Sequence, residues 1–326
     1  MELQNKEDNH IENPFPFNNL FLIKGFVTGK NDFWRYVLGI FLAFTGYLTF
    51  QLIIMTPLLN AATKNGLSLQ EIKQNPNVLF DPNKVGIDKN ILLALMMGMF
   101  VFAFVFLWIA IKFIQQKSLS SIMTGFDAIR WKRYFFSFGL WGTLIVVMTI
   151  SSYLLAPQDI EVRFNPIQFS ILFLVSIIFI PIQTAVEELI FRGYLMQGLS
   201  LAFKNGVFPL LLTSIVFGLM HGSNPEVKEY GLLLMMPYYI FFALFLAIIT
   251  LLDEGLELAM GIHCANNLFS GLLVCSKNSV LQTDAIFYSK VENPATEFLI
   301  SIILLSLCFF ILLKKYKLSN WKLIYK

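Results

Sequence analysis

Charge is scarce in this sequence: Asp, Glu, Lys and Arg make up 14% of the residues, against about 25% in an ordinary soluble domain. So few polar groups cannot coat a water-exposed globule, which excludes the soluble classes. Net charge is only +3, and the basic residues gather at the ends of apolar runs without forming a stripe, so a nucleic-acid partner is excluded too. Cys264, Cys275 and Cys308 lie in apolar stretches with no pair at metal-ligand spacing, and read as small buried hydrophobes. The N-terminal stretch holds Glu2, Glu7, Asp8 and Glu12 and lacks the basic-then-apolar order of a secretory signal, so it is expected to stay in the mature chain.

What is present is apolar. Hydrophobic residues make up 56% of the chain, and mean hydropathy is +0.67. Spanning the hydrocarbon core takes about 20 mostly apolar residues. Runs of that kind lie near 36–58, 91–114, 134–155, 168–190, 206–221, 231–252, 256–275 and 297–314, the fifth and seventh interrupted by polar residues. The expected fold is all-α, a polytopic transmembrane bundle of about eight helices. Residues 1–35 read as a polar cytoplasmic tail, 36–314 as the bundle and 315–326 as a basic cytoplasmic tail.

Orientation follows from Lys and Arg, which favour the cytoplasmic side of spans. With both termini inside, the inner segments hold roughly twice as many as the outer loops, which places the chain in the cell membrane with both ends cytoplasmic. The stretch 61–90, rich in Asn, Pro and Asp, is either a small external cap or a disordered loop. Arg130, Trp131, Lys132, Arg133 and Tyr134 read as an anchor on anionic lipid. Asp253, Glu254 and Glu257 read as a solvated turn.

Ionisable groups inside apolar spans cost at least a few kcal/mol and call for a partner or a function. Glu187, Glu188 and Arg192 close the run 168–190. Glu188 and Arg192 stand four apart, in the order favoured for a helical ion pair, and Glu187 points about 100° away. His221 ends the next run, with Phe217 one turn before it; taken alone it reads more readily as a capping or interfacial residue at a helix end. His263 and Asn267 share a face in the middle of the run 256–275. The remaining histidine is His10, in the N-terminal stretch. Polar groups from three spans are expected to converge on a hydrated cavity inside the bundle. A carboxylate with imidazoles can take a proton from water and return it to a leaving group, while His263 and Asn267 offer donors to an oxyanion.

Glu187-Glu188-Leu189-Ile190-Phe191-Arg192-Gly193, then Phe217 with His221, then His263 with Asn267, resemble the three ordered motifs of the CPBP intramembrane proteases. That family takes in type II CAAX prenyl endopeptidases and bacteriocin-processing, immunity or abortive infection proteins. The likeness covers about 168–275. It implies an eight-helix fold and an endopeptidase acting within the membrane on a membrane-associated or prenylated peptide or protein. Glu187 would activate water, His221 assist it, and His263 with Asn267 stabilise the oxyanion, with Glu188, Arg192 and Phe217 in support. Cofactor dependence stays open under the resemblance: the metal-free reading is preferred, and Zn²⁺ would be held by Glu187, His221 and His263. HExxH, GxSG and GxGD patterns are absent. A non-catalytic immunity or scaffold protein and a proton-coupled transporter are the competing readings; the transporter lacks inverted repeats.

Overall fold

The computed structural model describes residues 17–325. Its helices follow the apolar runs because a backbone in hydrocarbon must satisfy its own N–H and C=O groups. A short α1 (Leu20–Val27), capped by the Asn19 side chain, precedes α2 (Phe33–Lys64). Next come α3 (Lys89–Ile109), which runs into a π-turn at Ala110–Ile114, and α4 (Trp131–Leu155). The rod formed by α5 (Pro166–Glu188), a second π-turn (Leu189–Leu195) and α6 (Met196–Phe203) is 38 residues long. Then α7 (Val207–Met220), α8 (Pro225–Tyr230), α9 (Leu232–Asp253), α10 (Glu257–Leu273) and α11 (Pro294–Tyr316) complete a polytopic helical bundle.

All eight expected runs are helical. Six are long and apolar enough to cross a membrane: α2, α3 with its π-turn, α4, the α5–α6 rod, α9 and α11. The two runs with polar interruptions form the 14-residue α7 and the 17-residue α10. Helix α10 is short because it is central: from Glu257 to Ala265 it is buried at every position, so protein meets it where lipid meets the others. It crosses α4 closely at Gly261, where a Cβ would collide with Ser137 Oγ and the Tyr134 carbonyl. Ser137 Oγ uses the approach to donate to Leu258 O at 2.9 Å. Phe41, Leu52, Phe135, Ile167, Leu299 and Phe310 stay exposed on the outer helices, a pattern that hydrocarbon accepts and water does not.

Of the two readings of 61–90, the structure takes the cap. Short helices at Leu69–Gln74, Pro76–Phe80 and Pro82–Val85 bury Ile72, Leu79 and Val85 against Leu58 and Leu92, and a Ser68–Glu71 capping box starts the first. A small sheet lies at the same end of the bundle, with strands β1 (Ile160–Val162), β2 (Val274–Ser276) and β3 (Phe287–Ser289) in the order β1-β3-β2. β3 pairs antiparallel with β1 and parallel with β2.

At the other end, the stretch expected to be a polar tail folds back onto the bundle from Phe17 onwards, with Phe21 and Leu22 buried in the core. Asn19 Nδ2 donates to Leu251 O at 2.8 Å and Leu323 O at 3.1 Å, tying the two ends of the chain together. His10 falls outside the described residues.

The solvated acidic turn is a correction. Asp253 and Glu257 are buried, and Arg130 holds both, with Nη2 2.9 Å from Asp253 Oδ2 and 2.6 Å from Glu257 Oε2. Arg133 pairs with Asp253 as well, while Glu254 accepts the Leu20 N–H at 2.6 Å. The two arginines expected on lipid are thus engaged within the protein, since buried carboxylates need charged partners more than headgroups do.

Candidate active site

The first motif straddles the end of α5 and the second π-turn. A π-turn widens the helix by one residue and re-aims the side chains on it, a feature frequent at functional sites. Here Glu188 and Arg192 are fully buried, with Arg192 Nη1 2.7 Å from Glu188 Oε1. The guanidinium also donates from Nη2 to Ala243 O at 3.1 Å and lies 4.5 Å from the centre of the Phe217 ring. Gly193 is required by packing: a Cβ would come within 2.6 Å of Ile122 Cγ2.

From α10, the His263 ring reaches both consecutive carboxylates. Its Nδ1 is 2.7 Å from Glu188 Oε1 and its Nε2 3.5 Å from Glu187 Oε2. Ionised carboxylates only accept, so the Nδ1 proton points at Glu188. Glu187 keeps 17% of its side-chain surface exposed, whereas Glu188 keeps none. The edge contacts of His263 with Phe217 and Phe242, at 5.9 and 5.8 Å between centroids, leave the imidazole little freedom.

Asn267, one turn further along α10, sits in a chain of amides. Trp141 Nε1 donates to Asn266 Oδ1 at 3.2 Å, Asn266 Nδ2 to Asn267 Oδ1 at 3.1 Å, and Asn267 Nδ2 to Gln183 Oε1 at 3.0 Å. This fixes which way the Asn267 amide faces and leaves its second N–H for another acceptor. Gln183 lies one turn before Glu187 on the same face of α5.

His221 ends α7. Its Nδ1 lies 2.8 Å from Phe217 O. A carbonyl only accepts, so Nδ1 carries the proton in this bond and Nε2 is left as the acceptor of the neutral ring. The ring is half-buried between Phe217, 4.7 Å away, and Tyr239, 4.4 Å away and nearly parallel.

Glu187, Glu188, Arg192 and His263 therefore meet directly, Asn267 bonds to Gln183 one turn before Glu187, and His221 joins through the Phe217 ring. Among the described residues, no three His, Cys, Asp or Glu groups form a set that could hold a metal ion. Sequence reasoning passed over Gln183, Asn266, Trp141 and Tyr239. The signal for Gln183 and Asn266 was an amide at depth in an apolar run, which is costly to leave unpaired, though far less so than a charge.

Comparison with known proteins bears on the same segment. Residues 166–269, which begin at the first turn of α5 and end just after Asn267, match the family model described as type II CAAX prenyl endopeptidase Rce1-like. The chain is also 28% identical over 256 residues to the uncharacterized protein YyaK of Bacillus subtilis (strain 168), an alignment covering 78% of this chain and 82% of that protein. No solved structure matches it.

Proposed function

Because residues 166–269 carry the Rce1-like core of a protease family, we propose that this multi-pass membrane protein is an intramembrane endopeptidase that hydrolyses a peptide bond in a membrane-associated or lipidated protein or peptide. The observation that carries this reading is the His263 ring held against Glu187 and Glu188 deep in the bundle. Glu187, the partly exposed carboxylate of the pair, takes a proton from water as the oxygen attacks the scissile carbonyl. In its doubly protonated form, with Nδ1–H kept on Glu188, His263 donates from Nε2, and the free Asn267 N–H donates beside it, to the oxygen on which negative charge develops, an interaction strengthened where water is scarce. His221 accepts a proton or a hydrogen bond at Nε2 from the same water. As the tetrahedral species collapses, the C–N bond breaks and the Glu187 carboxylic acid returns its proton to the departing amine. Glu188 and Arg192 hold His263 in place and do not touch the substrate. Both termini are assigned to the cytoplasm from the distribution of Lys and Arg.

The test uses purified protein in detergent with fluorogenic peptides, with and without a C-terminal farnesyl-cysteine. The parent cleaves at least one of them and Glu187→Gln does not. Equal rates for the two would overturn the assignment.

A further inference from the structure

We infer that Tyr239, anchored by Glu226 and Asn224, is a positioning residue that sets the orientation of His221, an inference that rests on the peptidase reading above. The imidazole of a histidine turns freely about χ2, because that torsion joins a tetrahedral to a planar carbon and has no sharp minima. A ring at the end of a helix, half-exposed, has little else to restrain it. Here three contacts act together. The Nδ1 bond to Phe217 O fixes rotation in the plane of the ring. Phe217 and Tyr239 lie on its two sides, at 4.7 and 4.4 Å between centroids, with Tyr239 inclined by only 25°. The direction of Nε2 is then set.

Tyr239 is itself held by the loop that leaves His221. Its hydroxyl donates to Glu226 Oε1 and accepts from Asn224 Nδ2, the latter at 3.0 Å. Asn224 Nδ2 also reaches Glu226 Oε1 at 3.3 Å, and Asn224 N donates to His221 O at 3.0 Å. The platform is thus referenced to the backbone of the residue it orients. Glu226 Oε2 is buried with no partner. A carboxylate half spent on one phenol is expensive as simple packing, which an apolar side chain would do at lower cost. A site residue locked by contacts of this kind is what catalysis requires, since a displacement of about 1 Å is worth on the order of a hundredfold in rate.

The experiment compares Tyr239→Phe, Tyr239→Leu, Glu226→Gln and Glu226→Leu with the parent. Each is assayed with the fluorogenic peptides and examined by NMR of ¹³C-histidine-labelled protein in detergent. Tyr239→Leu, which removes the platform, lowers kcat by roughly ten- to a hundredfold with KM unchanged. Tyr239→Phe keeps the ring but not the anchor and loses a few-fold. Glu226→Gln, whose amide oxygen still accepts the phenol proton, retains several times the kcat of Glu226→Leu. The ring protons of His221 move away from their stacked, upfield positions in Tyr239→Leu and stay close to them in Tyr239→Phe. Parental kcat in Tyr239→Leu, a change confined to KM, or unmoved His221 resonances would overturn the inference. If Tyr239→Leu does not fold, the pair Tyr239→Phe and Glu226→Leu decides, because equal kcat with the parent in both removes the anchor from the argument. A parent that cleaves none of the peptides overturns the peptidase reading, and the resonances then judge the stack by themselves.

Discussion

Glu188 and His263 are joined by a 2.7 Å contact in which a single oxygen, Oε1, faces both the imidazole Nδ1 and, also at 2.7 Å, Arg192 Nη1. The second glutamate of the pair therefore does more than brace its own helix. It ties α5 to α10 and holds the Nδ1 proton of the ring that Glu187 approaches from the other side. Two adjacent carboxylates have separate roles: one is fully buried with two donors on a single oxygen, the other is partly open.

That division predicts different phenotypes for two isosteric changes. Glu187→Gln should lower kcat by about 10³-fold, as expected for loss of a general base, while its melting temperature in detergent stays near the parent value. Glu188→Gln leaves the fully buried Arg192 without its counter-charge, an event worth about 3–5 kcal/mol in proteins, and should melt markedly lower as well as losing activity. If both variants melt like the parent, Glu188 carries no structural load.

Gln183 offers a test of the amide chain. Gln183→Leu has a similar length and removes the acceptor that orients Asn267. The free amide then rotates, and kcat should fall by about ten- to a hundredfold without a comparable change in KM. Steady-state kinetics with the fluorogenic peptide measure this, and an unchanged kcat would mean that Asn267 is oriented by Asn266 alone.

How much of this was visible in the sequence depends on the range of the interaction. The eight helices were legible because hydrophobicity along the chain decides them locally. The motif residues were legible because an ionisable group at depth is conspicuous against Leu, Ile and Phe. The fold-back of residues 17–27 was hidden: Leu20–Val27 is apolar but far too short to span, so only its tertiary partners, Leu251 and Glu254 among them, make it part of the bundle. The same holds for Asp253 and Glu257, whose proximity to each other suggested a solvated turn until Arg130, more than a hundred residues earlier, was seen to lie between them. Tyr239 gave no signal, because an aromatic residue in an apolar span is ordinary until the histidine beside it is known.

Arg130 binds Glu257 through two parallel bonds, Nε to Oε1 at 3.0 Å and Nη2 to Oε2 at 2.6 Å, and Asp253 through a third. Arg130→Ala should lower stability by about 3–5 kcal/mol, because two buried carboxylates lose this partner together. Arg130→Lys should recover only a small part, since an ammonium cannot reproduce the planar fork. Detergent melts of the three proteins check this, and full rescue by lysine would show that charge alone matters.

The proposed mechanism routes no step through a metal, so peptide cleavage should survive 1,10-phenanthroline and EDTA at concentrations that strip zinc from a reference metalloprotease assayed in the same detergent. Loss of activity to the chelator and its return with Zn²⁺ would overturn the metal-free mechanism.

Lys117 gives a pH signature independent of catalysis. It lies just beyond the π-turn of α3, buried, with Nζ donating to Gly25 O and Tyr36 Oη, each at 2.9 Å, and its ammonium has no carboxylate among these partners. Burial pulls its pKa down from 10.5 to about 8. In the unfolded chain the amine holds its proton up to the higher value, so between these limits the unfolded state binds more protons and folding stability rises with pH. Below about 8 both states are protonated, and the cost of burying the charge, about 3 kcal/mol, is fully present. Lys117→Met keeps the length of the side chain without the charge. Its melting temperature should exceed that of the parent at pH 7 and the gap should close as pH climbs from about 8 towards 10.5, the window set by the two values. Parallel melting curves across that window would show that the ammonium is solvated or paired and that burial does not govern it.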